Sequence, residues 1–85
     1  MQHFIYILFS EIRDRYYIGS SSNPEERLVR HNAGATTSTK SGRPWKMVYH
    51  ETFNTKTDAL KRETYLKRMK SRIYIENLIL KSEAK

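Results

Sequence analysis

The chain has 85 residues, and its 16 lysines and arginines against nine acidic residues give it a net charge of +7. This length predicts one small domain over residues 1–85, and an apolar content of 38% argues against a disordered chain. The sequence has no cysteine, which excludes disulfides and thiolate metal sites and favours a reducing compartment, the cytoplasm. The excess of basic residues favours a polyanionic partner such as nucleic acid over the alternative that the lysines only keep the domain soluble.

The first half of the chain reads as a β-hairpin followed by a helix. β-Branched and aromatic residues predict strands over 3–9 and 15–19, and a short polar link joins them. The apolar run in the first strand is too short to span a bilayer and lacks a basic leader, so no membrane or targeting segment is expected. Asn23 can cap a helix that begins at Pro24 and ends near Asn32.

The second half reads as a loop, a strand and two helices. Residues 34–44 are polar and rich in hydroxyls, which predicts a loop, and residues 45–53 have the alternation of a third strand. Helices are expected over about 56–70 and 72–81. The order ββαβαα predicts an α+β fold, with a small three-stranded antiparallel sheet flanked by helices.

Glu63 is the first candidate site residue. The predicted apolar stripe of its helix consists of Ala59, Leu60, Leu66 and Met69, and Glu63 falls on the same face. A buried carboxylate needs a partner, because an unpaired buried charge costs several kcal/mol. Two interpretations stand side by side: an ordinary structural position, paired with an arginine or reaching water at the edge of the stripe, and a ligand for a hard cation such as Mg²⁺.

Arg27 and His31 form an i, i+4 pair on the first helix and therefore share a face. An arginine can clamp a phosphate, and a histidine can move protons near neutral pH. The spacing is common in helices, so by itself it favours an exposed pair with no chemical role.

The hairpin supplies three further candidates. If its link has an even number of residues, Tyr6 and Tyr17 lie on one face of the sheet, although each tyrosine taken alone is most often a core residue. Gly19 either lets the backbone approach a ligand closely or simply ends its strand. On the last helix, Asn77 follows Ile73 by four residues, and an inward position would let it orient a water or phosphate, or cap a neighbouring element.

Further basic residues can form a surface that follows a phosphate backbone. Beside them, Trp45 is expected in the core, with stacking on a base as the alternative. The basic residues are Lys40, Arg43, Lys46, Lys61, Lys67, Arg68, Lys70 and Arg72.

Several of these positions together resemble a known family. Ile5-Tyr6, ten intervening residues and Tyr17-Ile18-Gly19 are similar to the signature of the GIY-YIG nuclease superfamily. Arg27, His31 and Glu63 match that family's helical residues in the same order, so almost the whole chain resembles a small stand-alone member. Phe4 stands where the family's first glycine is found, and Asn77 matches the family's later asparagine only loosely.

The resemblance implies hydrolysis of phosphodiester bonds in DNA with a single Mg²⁺ or Mn²⁺ ion. Glu63 would hold the metal, and Arg27 would stabilise the charge that grows on the phosphate. Tyr6 would act as the general base, which requires the site to lower its pKa. Tyr17 would hydrogen-bond the water or phosphate, and His31 would relay the proton or position Tyr6.

The resemblance leaves the substrate open. The chain has no room for an attached DNA-binding domain, so selectivity for DNA structure or a protein partner that supplies specificity is expected, in repair or recombination. RNA stays an alternative substrate, because phosphate contacts do not distinguish it from DNA. The alternative function is a non-catalytic nucleic-acid-binding module on the same fold, and a third is a structural protein that docks an acidic partner.

Overall fold

The computed structural model describes residues 2–83. Within these residues, three strands, three α-helices and one 3₁₀ helix follow one another. They are β1 (His3–Ser10), β2 (Arg15–Ser21), α1 (Pro24–Asn32), the 3₁₀ helix (Thr37–Gly42), β3 (Trp45–Phe53), α2 (Lys56–Met69) and α3 (Arg72–Glu83). This order confirms the predicted α+β fold, a three-stranded antiparallel sheet with helices packed against it. Among the described residues, no helix has the length and apolar character needed to cross a membrane.

The three strands form one sheet in the order β2-β1-β3, with β1 in the middle. Tyr6 lies opposite Gly19 and Leu8 lies opposite Tyr17 in the antiparallel register. Side chains two residues apart share a face, so Tyr6 and Tyr17 are on the same side of the sheet, as predicted. β2 continues past Gly19 to Ser21, and the prediction that this glycine ends the strand is wrong.

The two faces of the sheet carry separate cores. On one face, Ile5, Ile7 and Ile18 pack against α2 and α3 through Ala59, Leu66 and Ile75. On the other face, Tyr6, Leu8 and Trp45 form a second cluster, which Tyr17, Leu28 and Met47 extend. Most side chains of the candidate site lie on this second face, beside α1 and the 3₁₀ helix.

The start of α1 follows the sequence prediction. The Asn23 side chain accepts a hydrogen bond from the Glu26 backbone amide at 3.2 Å, and Pro24 occupies the first turn. The predicted loop over 34–44 instead contains the 3₁₀ helix, in which Thr39 and Gly42 are buried. Burial of these two residues against the sheet gives the segment an order that its polar composition does not indicate.

Three inward positions predicted on the helices are wrong. Leu60 and Met69 of α2 are exposed. The buried face of this helix is defined by Ala59 and Leu66, and Leu60 and Met69 point about 80–100° away from that face. Asn77 lies on the exposed side of α3, since the buried Ile75 points in the opposite direction. Trp45 is 6% exposed, which confirms the core assignment and leaves its ring no face for a base.

Candidate active site

Tyr6 stands at the centre of the site, on the middle strand. Its phenol lies across Gly19 of β2, so that a Cβ atom at Gly19 would come within 2.6 Å of both the Tyr6 hydroxyl oxygen and the ring carbon that bears it. Only 1% of Tyr6 is exposed. The close approach expected at Gly19 is therefore made by a tyrosine of the protein and not by a ligand.

His31 lies at the end of α1 and is buried, in contrast to the exposed pair that helix spacing favoured. Its ring packs against Tyr17, with the ring centroids 4.8 Å apart. Nε2 lies 3.2 Å from the Tyr6 hydroxyl oxygen, and Nδ1 lies 2.8 Å from the Thr39 hydroxyl oxygen. Both ring nitrogens are therefore engaged by side chains from other parts of the chain.

The electrostatics of the site keep this imidazole neutral. Burial, and then the positive charge of Arg27, lower the pKa of His31 from its ordinary value. Arg27 itself is exposed, one turn before His31 on α1. The pair thus divides into a buried neutral base and a cation at the surface.

The pKa of Tyr6 moves in the direction opposite to the expectation. It is raised to about 12, chiefly by burial and then by the Tyr17 phenol and the Glu63 carboxylate, while Arg27 opposes them. Burial prevails because a phenolate in a poorly solvated position loses more hydration than one neighbouring cation returns. Tyr6 is therefore a neutral phenol at physiological pH, and the protein does not lower its pKa.

Glu63 is half-buried on α2, and its side chain is 16% exposed. Lys67, one turn along the helix, donates to its carboxylate at 2.6 Å. The neighbouring Arg62 is occupied by Glu51 through two hydrogen bonds of 2.9 and 3.1 Å. Glu63 therefore has a salt-bridge partner. The partner is an exposed lysine, whereas the interpretation of Glu63 as a structural residue expected an arginine.

The donor set at Glu63 fits a weakly held divalent cation. No group of three or more metal-ligating side chains occurs within residues 2–83. A single carboxylate at the surface suits Mg²⁺, which commonly takes one or two protein carboxylates and completes its shell with water and phosphate oxygens. Lys67 would have to leave the carboxylate oxygen that such an ion occupies.

The structure brings five of the predicted site residues into one cluster. Contacts join Tyr6 to Tyr17 and His31, and the charges of two further residues act on the Tyr6 hydroxyl. The five are Tyr6, Tyr17, Arg27, His31 and Glu63. Asn77 is outside this cluster, because it lies on the exposed side of α3 and is not among the groups that act on the Tyr6 phenol.

The eight basic residues predicted to contact nucleic acid differ in whether they already have partners within the protein. All eight side chains are exposed. Lys46 pairs with Glu11 at 2.8 Å, and Arg43 donates to the backbone of Lys40. Lys61, Arg68 and Lys70 extend the basic surface along α2 to its C-terminal end.

Arg72 has a structural function that the sequence did not indicate. It donates to both the side chain and the backbone carbonyl of Asp14, at 2.6 and 3.0 Å, and also to Glu76. Asp14 has a positive φ of 53° in the hairpin link, so Arg72 joins that turn to α3. Its guanidinium is the least available of the predicted phosphate contacts.

Sequence reasoning missed Thr39, which touches His31 directly. Its only signal was a run of hydroxyl residues in a predicted loop, which did not distinguish Thr39 from its neighbours. The Trp45 indole donates to the Thr39 carbonyl at 2.7 Å, and the Asn32 side chain bonds the Trp45 backbone. These contacts fix the position of the 3₁₀ helix against α1 and β3.

Comparison with known proteins identifies the family of this chain. The family model described as the GIY-YIG catalytic domain matches residues 2–77. A UPF0213 protein of Staphylococcus saprophyticus is 41% identical over 68 residues, which cover 78% of this chain and 80% of the relative. A UPF0213 protein of Bacillus pumilus is 34% identical over 87 residues, covering 96% of this chain and 87% of that protein.

A solved structure gives the same result for the fold. The solution NMR structure of a UPF0213 protein from Bacillus halodurans matches with a TM-score of 0.57 at 29% identity, over 93% of this chain and 83% of the other. Since the family model spans most of the sequence, the chain belongs to the GIY-YIG family of nuclease domains.

Proposed function

We propose that this protein is a divalent-metal-dependent endonuclease that hydrolyses phosphodiester bonds in DNA. The observation that carries the proposal is the buried contact between the Tyr6 hydroxyl and His31, with the charges of Arg27 and Glu63 acting on the same phenol. Packing accounts for one hydrogen-bond partner of a buried tyrosine, but not for the charges of an arginine and a glutamate that act on the same phenol. Because the chain belongs to a family of nuclease domains, we assign phosphodiester hydrolysis to this geometry.

The proton path runs from water through Tyr6 to His31. With a pKa of about 12, only about one Tyr6 side chain in 10⁵ is a phenolate at pH 7, so a preformed phenolate is a poor base. In the proposed step, the attacking water gives a proton to the Tyr6 oxygen while the Tyr6 proton passes to Nε2 of His31. Tyr6 ends neutral, His31 ends as imidazolium, and the lowered pKa of His31 favours return of that proton to solvent.

Other residues act at the phosphorus centre. The hydroxide oxygen forms a bond to phosphorus, the bond from phosphorus to the 3′ oxygen breaks, and the leaving oxygen takes a proton from solvent. Arg27, which is exposed and whose charge acts on the phenol, stabilises the negative charge that grows on the phosphate. Tyr17 lies next to Tyr6 and is proposed to hydrogen-bond the water or the phosphate.

Glu63 is the proposed ligand of a single Mg²⁺ or Mn²⁺ ion. When bound, the ion supplies Lewis acidity at a phosphate oxygen and stabilises charge on the leaving oxygen. The single half-buried carboxylate supports this assignment, since substrate and water would provide the remaining ligands.

We further propose DNA with flaps, branches or single strands as the substrate, or a partner protein that supplies specificity, in cytoplasmic repair or recombination. The support is the exposed basic surface, whose phosphate contacts carry affinity without reading sequence. RNA remains an alternative substrate on the same contacts. A non-catalytic binding module would use this surface alone and would have no need of the Tyr6–His31 contact.

The decisive experiment is cleavage of end-labelled single-stranded, duplex, flap and branched DNA with Mg²⁺, Mn²⁺ or EDTA. We expect metal-dependent products from the wild type and none from Glu63→Gln, which binds DNA as well as the wild type. Glu76→Gln makes the same change on α3, outside the cluster, and is expected to cut normally. Cleavage by Glu63→Gln at the wild-type rate would refute the metal assignment, and binding without cleavage under every metal would favour the binding module.

A further inference from the structure

Thr39 of the 3₁₀ helix is a second contact of the buried histidine, on the side away from Tyr6. Only 1% of Thr39 is exposed. Its hydroxyl oxygen lies 2.8 Å from Nδ1 of His31 and 3.3 Å from the backbone carbonyl oxygen of Thr36. The hydroxyl therefore stands between a ring nitrogen and a group that can only accept a hydrogen bond.

The pattern of donors and acceptors favours one placement of the hydrogens. A threonine hydroxyl has one hydrogen, and the Thr36 carbonyl can only accept it. When the hydroxyl donates to this carbonyl, its oxygen accepts from Nδ1–H of His31 and the Tyr6 hydroxyl donates to Nε2, so each of the three hydrogens has an acceptor. A neutral imidazole with its hydrogen on Nδ1 has a free lone pair on Nε2, and that nitrogen faces the hydroxyl of Tyr6.

We propose that Thr39 is a positioning residue that sets the tautomer of His31 and so makes Nε2 the acceptor of the Tyr6 proton. This inference rests on the proposed function for its catalytic meaning, but the tautomer itself is a property of the folded protein. In the opposite tautomer, Nε2 would carry a hydrogen, donate it to the Tyr6 oxygen and be unable to take a proton from the phenol. The relay from water through Tyr6 would then have no terminal base.

The surroundings hold Thr39 in register for this contact. The Trp45 indole donates to the Thr39 backbone carbonyl at 2.7 Å, and the Ser10 hydroxyl donates to the Gly42 carbonyl at 2.6 Å. A Cβ atom at Gly42 would come within 2.4 Å of the Trp45 ring, so glycine is needed for this approach. The backbone of the 3₁₀ helix is thus fixed to β3 at Thr39 and to β1 at Gly42, which holds Thr39 beside His31.

Two substitutions separate the effect of the Thr39 hydroxyl from the effect of the side chain's shape. Thr39→Val keeps the volume and removes the hydroxyl, whereas Thr39→Ser keeps the hydroxyl and removes a methyl group. Long-range ¹H–¹⁵N NMR spectra of the ¹⁵N-labelled protein above the pKa of His31 report which ring nitrogen carries the hydrogen. We expect the Nδ1–H form in the wild type and in Thr39→Ser, and a population of the Nε2–H form in Thr39→Val.

The change in kcat should parallel the change in tautomer seen in the NMR spectra. Because general-base catalysis contributes about 10²–10⁴-fold, we expect Thr39→Val to lower kcat by about 10-fold or more with KM nearly unchanged, and Thr39→Ser to restore it. An Nε2–H wild type, or a Thr39→Val protein that keeps the Nδ1–H form, would overturn the inference. If Thr39→Val does not fold, the spectra of the wild type and of Thr39→Ser still decide the tautomer. The predicted tautomer in a protein that cuts no DNA would refute the proposed function and leave the assignment standing.

Discussion

Gly19→Ala tests the central geometry of the site with the smallest possible change. The added Cβ atom would lie 2.6 Å from the Tyr6 hydroxyl oxygen, against the 3.4 Å or more of an ordinary contact. Tyr6 is buried and has little space in which to yield, so the phenol or the strand must move by about 0.8 Å. The contact between Tyr6 and His31 is already 3.2 Å long, and a shift of that size away from His31 would take it beyond hydrogen-bonding distance.

The expected effect on stability is modest. Forcing a methyl group into a packed site costs about 1–3 kcal/mol, and replacing a strand glycine by alanine returns about 0.5–1 kcal/mol through the unfolded state. The net loss in the free energy of unfolding is therefore about 1 kcal/mol, which lowers Tm by about 4–8 °C in a domain of this size. The expected loss of cleavage is larger than this, because the folded variant has a displaced base.

The assay compares wild type, Gly19→Ala and Ser20→Ala by thermal unfolding and by DNA cleavage well below Tm. Ser20 is the next residue of β2 and points to the other face of the sheet, so its substitution controls for a small change in the same strand. We expect Ser20→Ala to behave as the wild type and Gly19→Ala to lose most of its cleavage while still folded. Unchanged Tm and cleavage in Gly19→Ala would refute the packing of Tyr6 over Gly19.

Three further predictions concern the charges around this phenol. Arg27→Ala is expected to lower turnover more than DNA affinity, because the guanidinium acts on charge that grows during the reaction, and equal losses would make it a docking residue. Lys67→Met removes the cation that binds Glu63, so the Mg²⁺ concentration for half-maximal cleavage should fall. An unchanged Mg²⁺ requirement would show that Lys67 does not compete with the ion for Glu63. Because the pKa of His31 is lowered from 6.5, the unfolded chain binds its proton at higher pH than the native protein does. The free energy of unfolding should therefore fall as the pH drops below about 6.5, and urea unfolding of His31→Gln at pH 7.5 and 5.5 should show a smaller fall than the wild type.

The elements that the sequence predicted well are those whose signals are local. The cap at Asn23, the four-residue link between β1 and β2 and the alternation of β3 each depend on neighbours within a few positions. The parity of the hairpin link alone placed Tyr6 and Tyr17 on one face. These features, with the spacing of Arg27, His31 and Glu63, were enough to indicate the family.

The properties that the sequence did not predict arise where distant elements meet. His31 is buried because the 3₁₀ helix and Tyr17 cover it, and Leu60 is exposed because the sheet contacts only one narrow side of α2. The pKa of Tyr6 rises because burial outweighs Arg27, and no spacing along the chain measures burial.

The sequence by itself determined the order of the elements and the set of chemical groups available to the site. Only the tertiary structure decided which of those groups meet, and in which protonation state. Thr39 shows the difference: in sequence it is one hydroxyl among several, and packing against Trp45 makes it the partner of Nδ1 of His31. The physical reason is that hydrogen bonds and desolvation depend on distances across the folded core, which local patterns of residues do not encode.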